Sequence, residues 1–328
     1  MTTNSFQGLI FDIQRMSTED GPGIRTTVFM KQCNLKCIWC HNPESILKTP
    51  QLEWFKHKCI RCNSCIDTCN QEALVFDENG LNINRELCNL CEKCVEECPS
   101  TALNMIGKWW NVDDLFFEIE KDKVYYNESK GGITISGGEP TLQSSFLLQF
   151  LKKTNDNGIS TALDTCGYNT KEVFAKILPY IELVLFDVKL IDNKKHKEFT
   201  GESNMKILEN AIWISEYLKR KNKVMWIRTP IIPNYTADEE NIQDIGKFIV
   251  NKLKNSPERW DLLAFNNLCA SKYDRLGLNW KLKDELLMTN DQMENLDRIA
   301  KKTGVKNVHW SGLTRKIKKN IDKINSHC

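Results

Sequence analysis

The chain has 328 residues, and its 45 basic and 43 acidic side chains give a formal charge of +2. This balance offers no strong field for nucleic acid or a membrane surface, and no apolar run approaches the ~20 residues of a membrane-spanning helix. The N-terminal segment lacks the basic region and long apolar stretch of a signal peptide. We therefore expect a cytoplasmic protein, whose 14 cysteines bind metal more readily than they form disulfides.

The chain begins with two apolar, β-branched segments, residues 7–13 and 24–30, which predict two strands. Residues 19–23 (EDGPG) lie between them and form a strong turn signal. The second strand leads directly into the first group of cysteines.

This first group has the spacing C-x3-C-x2-C, with Trp39 between the last two cysteines and His41 after them. Three thiolates can hold three irons of a four-iron cluster and leave the fourth iron open to a ligand from a cofactor or substrate. The alternative is half of a zinc site, completed for example by His41 or His57. The three cysteines are Cys33, Cys37 and Cys40.

A cysteine-rich segment follows, from about residue 53 to residue 104, with two runs spaced C-x2-C-x2-C-x3-C. This is the spacing of two-cluster ferredoxins, in which the fourth cysteine of each run ligates the other cluster. The segment has little apolar material, so bound metal would have to organise it, and its expected role is electron transfer. A pair of zinc sites is the less favoured interpretation, because zinc ligands are usually two distant C-x2-C pairs or include histidine. One cluster would be held by Cys59, Cys62, Cys65 and Cys98, and the other by Cys88, Cys91, Cys94 and Cys69.

Beyond Trp109 the pattern alternates between strands and helices, which predicts a parallel sheet, either open or closed into a partial barrel. The predicted strands are residues 132–136, 160–164, 183–190, 224–228, 261–265 and 305–310. The predicted helices are residues 141–154, 170–178, 207–218, 238–253 and 290–302. The last residues, 315–328, are polar and basic, and we expect them to be frayed.

Three short motifs stand at the carboxyl ends of three successive predicted strands: residues 136–140 (SGGEP), 164–167 (DTCG) and 187–189 (DVK). This is the edge at which α/β sheets and barrels bind their ligands. Taken alone, the glycine pair predicts only a turn, and a charged residue at the end of a buried strand is commonplace. The shared edge is what favours a ligand site.

The C-x3-C-x2-C run and the GGEP segment together resemble the radical S-adenosylmethionine superfamily. The resemblance implies that the amino and carboxylate groups of S-adenosylmethionine chelate the fourth iron. An electron from the reduced cluster then cleaves the S–C5′ bond, which gives methionine and a 5′-deoxyadenosyl radical. The implied catalytic residues are Cys33, Cys37, Cys40 and Lys189. The implied cofactor-binding residues are Trp39, Cys40, His41, Gly137, Gly138, Glu139, Asp164, Thr165, Asp187, Val188, Lys189, Arg228 and Asn266.

Residues 20–26 (DGPGIRT) and 37–44 (CIWCHNPE) narrow the resemblance to the activating enzymes of glycyl radical enzymes, typified by the pyruvate formate-lyase activating enzyme. The cysteine-rich insert resembles the larger activators, which serve decarboxylases, dehydratases, choline lyase, arylsuccinate synthases and sulfonate lyases. The resemblance does not name the partner.

The resemblance implies an α/β fold, a partial (β/α)6 TIM-like barrel with an inserted ferredoxin-like domain that holds two [4Fe–4S] clusters. The expected cofactors are three [4Fe–4S] clusters, S-adenosylmethionine and a monovalent cation near Asp164 and Asp187. The expected partners are a glycyl radical enzyme and reduced flavodoxin or ferredoxin, and we expect a monomer that binds neither nucleic acid nor membrane. The expected divisions are residues 1–50 for the start of the radical domain, 51–106 for the insert, 107–314 for the rest of the barrel and 315–328 for the tail.

Two positions depart from the family pattern. Asn234 stands where a glycine is common, and asparagine tolerates the positive φ that glycine supplies. Asn266 replaces a histidine, and it can form hydrogen bonds but cannot act as an acid or base. A role that needs a proton from that histidine does not transfer to this chain.

Three hypotheses follow. The first is activation of a partner enzyme by removal of one Cα hydrogen from a glycine. The second keeps the radical chemistry but gives it a small molecule or peptide as substrate. The third, a non-catalytic electron carrier, is disfavoured by the long βα region. Cys166 is expected to pack in the core, and Cys269 and Cys328 receive no role.

Overall fold

The computed structural model describes residues 6–316, so Cys328 and most of the predicted tail lie outside the described residues. The strands are β1 Gln7–Ser17, β2 Arg25–Met30, β3 Gln51–Trp54, β4 Leu74–Phe76, β5 Leu81–Ile83, β6 Leu103–Ile106, β7 Lys108–Asn111, β8 Gly132–Gly137, β9 Thr161–Thr165, β10 Leu183–Asp187, β11 Val224–Ile231, β12 Arg259–Ala264 and β13 Val308–Ser311. The helices are α1 Ser64–Asp67, α2 Lys93–Glu96, α3 Val112–Glu120, α4 Lys123–Ser129, α5 Ser144–Asp156, α6 Lys171–Ile177, α7 Asn193–Thr200, α8 Met205–Arg220, α9 Glu239–Asn251, α10 Ala270–Arg275 and α11 Asn290–Lys302. Single 3-10 turns occupy Pro43–Ser45, Lys56–Lys58, Pro140–Gln143 and Leu178–Tyr180.

Nine strands form one large sheet in the order β13-β12-β11-β10-β9-β8-β2-β1-β7. Strands β2 and β8 to β13 run parallel, whereas β1 and β7 are antiparallel to their neighbours. The central strand β10 is buried along nearly its whole length, as expected for a parallel strand covered on both faces. The predicted α/β class with a parallel sheet is confirmed.

The helices cover the sheet with amphipathic faces. In α5 the apolar side chains recur at helical spacing, and Phe146, Leu147, Phe150 and Leu151 are buried in the main core. Helix α11 begins with a capping box in which the Thr289 and Gln292 side chains each accept from the other residue's backbone N–H. Within residues 6–316, every helix is too short or too polar to cross a membrane.

Several predicted element boundaries differ from the structure, and two of these differences have a clear local reason. The predicted strand 183–190 ends at Asp187, and Val188 N then donates to Arg228 O at 2.9 Å as the chain leaves the sheet. The predicted helix 141–154 starts as a 3-10 turn, because Pro140 opens it and the Glu139 carboxylate accepts from Thr141 N. The α-helix itself begins only at Ser144.

The cysteine-rich insert has a small core of its own, built around the antiparallel pair β3 and β6. Its two cysteine runs share one backbone pattern, since positive φ angles recur at positions 29 residues apart in the sequence. These pairs are Arg61 with Leu90, Asn63 with Glu92, and Glu72 with Thr101. The insert is therefore an internal repeat in conformation as well as in cysteine spacing.

Polar contacts join the insert to the main domain. The buried Lys31 ammonium, which follows β2, donates to Gln51 Oε1 at 2.9 Å and to the backbone oxygen of Glu44. Arg85 donates to Leu52 O in the insert and to Leu276 O just after α10. The end of helix α10 thus contacts the insert.

Candidate active site

The loop after β2 carries the three-cysteine run and is fixed by its backbone. Gln32 N and Cys33 N donate to Ser45 O and Ile46 O at 2.6 and 3.2 Å. Farther along the loop, Lys36 N donates to Thr200 O at 2.8 Å and Ile38 N to Phe199 O at 3.0 Å. The cysteines are therefore held by contacts to two separate parts of the chain.

Side chains near α10 complete this support. The Tyr273 hydroxyl donates to Cys40 O at 2.8 Å, and the Trp280 indole donates to Ile38 O at 2.9 Å. The two rings stack with centroids 5.1 Å apart. They anchor the part of the loop between the second and third cysteines.

The two glycines of the GGEP segment are required by close packing on the strand that leads to the cysteines. A Cβ on Gly137 would lie 2.2 Å from Met30 O, and one on Gly138 would lie 2.3 Å from Gln32 O. Gly137 also has a φ of +118°, which favours glycine. Both glycines are therefore explained by close approach to β2 and the cysteine loop.

Glu139 is fully buried and connects two strand ends. Its carboxylate accepts from Thr165 Oγ1 at 2.8 Å, from Cys166 N at 2.8 Å and from Thr141 Oγ1 at 2.6 Å. These bonds keep the Glu139 carboxylate out of the central cavity. They also fix the loop after β9 beside the cysteine loop. Val188 is also buried in the main core, so neither side chain lines the central cavity.

Four charged side chains meet inside the cavity. Lys189 Nζ lies 2.5 Å from Asp187 Oδ2, and Arg228 Nη1 lies 3.4 Å from Asp164 Oδ2. Burial raises the pKa of Asp164 to about 6, although the nearby Arg228 guanidinium opposes this shift. Burial also acts to lower the pKa values of Lys189 and Arg228, but the neighbouring carboxylates raise both, so the two cations stay charged.

Arg228 still has capacity for a ligand. Its Nε and Nη1 groups are buried and have no hydrogen-bond partner within residues 6–316, although the carboxylates of Asp164 and Asp187 lie within 4.0 Å. Buried donors of this kind are normally paired, so they fit a bound carboxylate or ribose oxygen. Among the predicted residues, this is the clearest local sign of a ligand.

One cavity of about 720 Å³ brings most of the predicted site together. Its lining comes from strands β8 to β13, from the cysteine loop and from residues 18–23 of the β1–β2 turn. Of the predicted residues, the cavity is lined by Cys33, Cys37, Trp39, Cys40, His41, Gly137, Gly138, Asp164, Thr165, Asp187, Lys189, Arg228 and Asn266.

The thiols of the three-cysteine run have the chemistry of cluster ligands. Burial raises the pKa of Cys37 to about 12, partly opposed by the Lys189 ammonium, and burial likewise raises the pKa of Cys40. A thiol this reluctant to ionise becomes a thiolate when a metal replaces its proton. Three thiols that line one cavity are a donor set that fits an iron–sulfur cluster.

The eight insert cysteines fall into two sets of four, each around its own cavity. The first insert cavity is lined by Cys59, Cys62, Cys65 and Cys98, and the second by Cys69, Cys88, Cys91 and Cys94. Each set takes three cysteines from one run and the fourth from the other, as the ferredoxin spacing predicts. The buried Trp54 Nε1, which lacks a hydrogen-bond partner among the described residues, belongs to the lining of the first cavity.

Within residues 6–316, no group of three or more His, Cys, Asp or Glu side chains is arranged to hold a single metal ion. Sulfurs bound to four different irons lie farther apart than sulfurs bound to one ion. The support for a cluster at each cysteine set is therefore the cavity that its members line together.

A match to known proteins spans most of the chain. A family model described as a 4Fe-4S single cluster domain matches residues 19–208. The (2S)-3-sulfopropanediol dehydratase activating enzyme of Klebsiella oxytoca is 38% identical over 307 residues, which is 92% of this chain and 96% of that protein. The 4-hydroxyphenylacetate decarboxylase activating enzyme of Clostridium scatologenes is 38% identical and covers 89% of this chain and 94% of its own.

The chain belongs to the glycyl-radical-enzyme activating enzymes. The trans-4-hydroxy-L-proline dehydratase activating enzyme of Clostridioides difficile, 37% identical over 89% of this chain and 95% of its own, is a further member. Among solved structures, a domain of the pyruvate-formate lyase-activating enzyme from Bacteroides vulgatus matches with 27% identity and a TM-score of 0.46, over 56% of this chain and 99% of that one. The resemblance and the enzyme class predicted from the sequence are confirmed.

Two features of this activating enzyme escaped the sequence interpretation. Cys166 is buried as expected, but it also lines the central cavity with Cys33, so a fourth cysteine stands beside the three-cysteine run. The DGPG turn lies at the amino edge of the sheet, because β2 begins directly after it at Arg25. The buried Arg25 holds this turn to the sheet by donating to Thr134 Oγ1 at 2.7 Å and to Pro22 O at 3.3 Å.

Proposed function

We propose that the chain abstracts one Cα hydrogen from a glycine of a partner glycyl radical enzyme at the central cavity. The observation that supports this proposal most strongly is that one cavity is lined both by the three-cysteine loop and by polar groups of successive strands. The named relatives, each an activating enzyme, support the same chemistry.

We further propose that the large sheet curves into a partial (β/α)6 barrel. A flat sheet cannot surround one cavity with residues of six neighbouring strands, and β8 to β13 all contribute to this lining. Residues 1–50 and 107–314 then form the radical domain, with residues 51–106 as the inserted domain. Three [4Fe–4S] clusters belong to this architecture, one at Cys33, Cys37 and Cys40 and two in the insert.

When bound, the three-cysteine cluster and S-adenosylmethionine supply one electron and a 5′-deoxyadenosyl radical that takes a hydrogen atom. The chain's own residues bind and orient the cofactor. Arg228 and Lys189 offer N–H donors to its carboxylate and ribose oxygens, since Arg228 has two buried nitrogens without a partner. The backbone of Gly137 and Gly138, which lies against the cysteine loop, is available to the amino group.

Aromatic groups close one side of the cavity. Trp39 is buried against Leu190, Ile232 and Phe265, and its ring lines the cavity. An apolar wall excludes water from a reactive radical, which protects it from side reactions. His41 and Asn266 complete this side of the cavity.

A glycine suits this site for two reasons. Its Cα radical is delocalised over the flanking amides, and it has no side chain to hinder approach to the cavity. The partner must therefore loosen the segment that bears the glycine. The relatives' names include dehydratase, decarboxylase and sulfite-lyase activators, so we propose the partner by class only.

The two insert clusters are proposed to relay electrons from reduced flavodoxin or ferredoxin to the three-cysteine cluster. Helix α10 supports this route, because it contacts the insert through Arg275 and Glu53, 3.3 Å apart, and the cysteine loop through Tyr273. The predicted monovalent cation near Asp164 and Asp187 gains no support, since Arg228 already faces both carboxylates. That cation, a monomeric state and a cytoplasmic location remain predictions.

The function is tested by electron paramagnetic resonance under anaerobic conditions. The reconstituted, chemically reduced protein is mixed with S-adenosylmethionine and the glycyl radical enzyme encoded beside it. A glycine-centred doublet is expected, with about one 5′-deoxyadenosine formed per radical. No doublet, with 5′-deoxyadenosine rising instead with an added metabolite or peptide, would favour a small-substrate radical enzyme. If no 5′-deoxyadenosine forms under any condition, the remaining hypothesis is that the protein is a non-catalytic electron carrier.

A further inference from the structure

The two halves of the insert repeat have opposite charge. Residues 56–69 contain three Lys or Arg and one Asp, a net +2, whereas residues 85–98 contain two Lys or Arg and four Glu, a net −2. The two segments correspond position by position, since their cysteines and their positive φ angles recur 29 residues apart. The repeat therefore presents similar metal sites with different electrostatic surroundings.

We call the first insert cavity the outer one, because the β3 residue that lines it lies farther along the strand from Gln51 than the β3 residue that lines the second. Where the insert joins the main domain, Gln51 contacts Lys31 of that domain and pairs with Ile106 in the β3–β6 ladder. Leu52 then lines the second insert cavity, and Trp54 lines the first.

The outer cavity is reached through an exposed surface with fixed cations. Cys62 is exposed, and the neighbouring Ile60 side chain is 66% exposed. Lys58 Nζ lies 4.5 Å from the Phe55 ring centroid, and the Arg61 guanidinium lies 5.6 Å from that of Phe76. Cation–π contacts hold both charges beside the cluster cysteines.

We infer that this basic surface, Lys56 to Arg61, docks a small acidic one-electron carrier protein. Opposite charges steer such a carrier to the outer cluster, while Glu86 and Glu92, near Cys88 and Cys91, repel it from the inner one. The exposed Ile60 gives the contact an apolar centre close to Cys59 and Cys62. The carrier loses one electron and the outer cluster gains it, with no bond formed and no proton transferred. The inference rests on the relay role proposed above.

The test mixes reconstituted protein anaerobically with a reduced flavodoxin of acidic isoelectric point and follows the loss of cluster absorbance by stopped flow. The parent rate is expected to fall steeply as salt is raised, because exposed charges are screened. Lys56→Glu/Lys58→Glu is expected to be about tenfold slower at low salt, within the range of electrostatic steering. The matched control, Lys252→Glu/Lys254→Glu, changes the same charge at two exposed lysines after α9, on the amino edge of the sheet.

Reduction by dithionite provides the internal reference, and all three proteins are expected to reduce at similar rates with it. A parent rate that does not change with salt overturns the inference without reference to any variant. Equal flavodoxin rates for both double variants also overturn it. So does a loss of glycyl radical yield under dithionite with an unchanged flavodoxin rate, because the surface then binds the partner enzyme. A missing glycyl radical under dithionite in the parent would instead refute the proposed function.

Discussion

The two cysteine-rich regions of the molecule use the same side chain in contrasting surroundings. The three-cysteine loop lies at the carboxyl edge of a nine-stranded sheet, beside buried ion pairs and buried Arg228 nitrogens that have no hydrogen-bond partner among the described residues. The hydrophobic core cluster of the insert has six buried residues, two of which are cysteines, and Cys62 and Cys91 are exposed. The first environment binds a ligand and excludes water. The second leaves clusters near solvent, where electrons can enter.

The largest contrast is expected from removing one cysteine in each region. Cys37→Ala should abolish 5′-deoxyadenosine and glycyl radical formation with any reductant, since it removes a ligand of the cluster in the cavity. Cys94→Ala should retain most of the activity that dithionite supports. Iron analysis should give about twelve irons in the parent, from three four-iron clusters, and fewer in each variant. If Cys94→Ala is as inactive as Cys37→Ala under dithionite, the division of roles is wrong.

Arg228→Met tests the buried charges of the cavity. It leaves Asp164 and Asp187 without their shared cation, and breaking a buried pair in this way costs about 3–5 kcal/mol. We expect a clearly lower thermal midpoint and weaker S-adenosylmethionine binding by equilibrium dialysis. The matched change in the insert, Arg61→Met, removes an exposed cation and should leave the midpoint unchanged. A similar midpoint for both variants would contradict the assigned ion network.

Cys62→Ala and Cys91→Ala test the relay. Each removes an exposed ligand of an insert cluster, so activation driven by reduced flavodoxin should slow about 10- to 100-fold. Activation driven by dithionite should change little. The time course of the glycyl radical signal measures both. An unaffected flavodoxin-driven rate would show that the insert clusters do not supply the electrons.

The smallest effect is expected at Tyr273, which positions the cysteine loop and is not among the residues proposed to touch cofactor or substrate. Tyr273→Phe loses one hydrogen bond to Cys40 O, worth about 1 kcal/mol. The reduction potential and spectrum of the three-cysteine cluster should shift, while the insert clusters keep theirs. Tyr125→Phe, at an exposed tyrosine, is the control. If the two variants have identical spectra, Tyr273 does not help to position the cysteine loop.

Local patterns predicted a large part of this molecule because their physical cause is local. The cysteine spacing predicted the two sets of four in the insert, and the apolar pattern predicted the alternation of strands and helices. Asn234 was expected to supply a glycine-like conformation, and its φ is +65°. These features depend on neighbours within a few residues.

The rest depends on residues that are distant in sequence. Glu139 was expected beside the cofactor, but its carboxylate is buried by bonds to Thr165 and Cys166, which only folding brings near. The contact between Cys166 and Cys33 likewise joins the ends of different strands. No periodicity encodes such contacts. The position of Cys166 in a motif at a strand end was the available signal, and it did not distinguish packing from contact with the run.

The central claim is that the cavity takes hydrogen from a glycine of the partner, and isotopic transfer tests it most directly. The partner enzyme is produced with α,α-dideuterated glycine and activated by the parent protein under dithionite. We predict that one deuterium appears in 5′-deoxyadenosine and that the glycyl doublet collapses to a single line. A full radical signal accompanied by 5′-deoxyadenosine without deuterium would contradict the account.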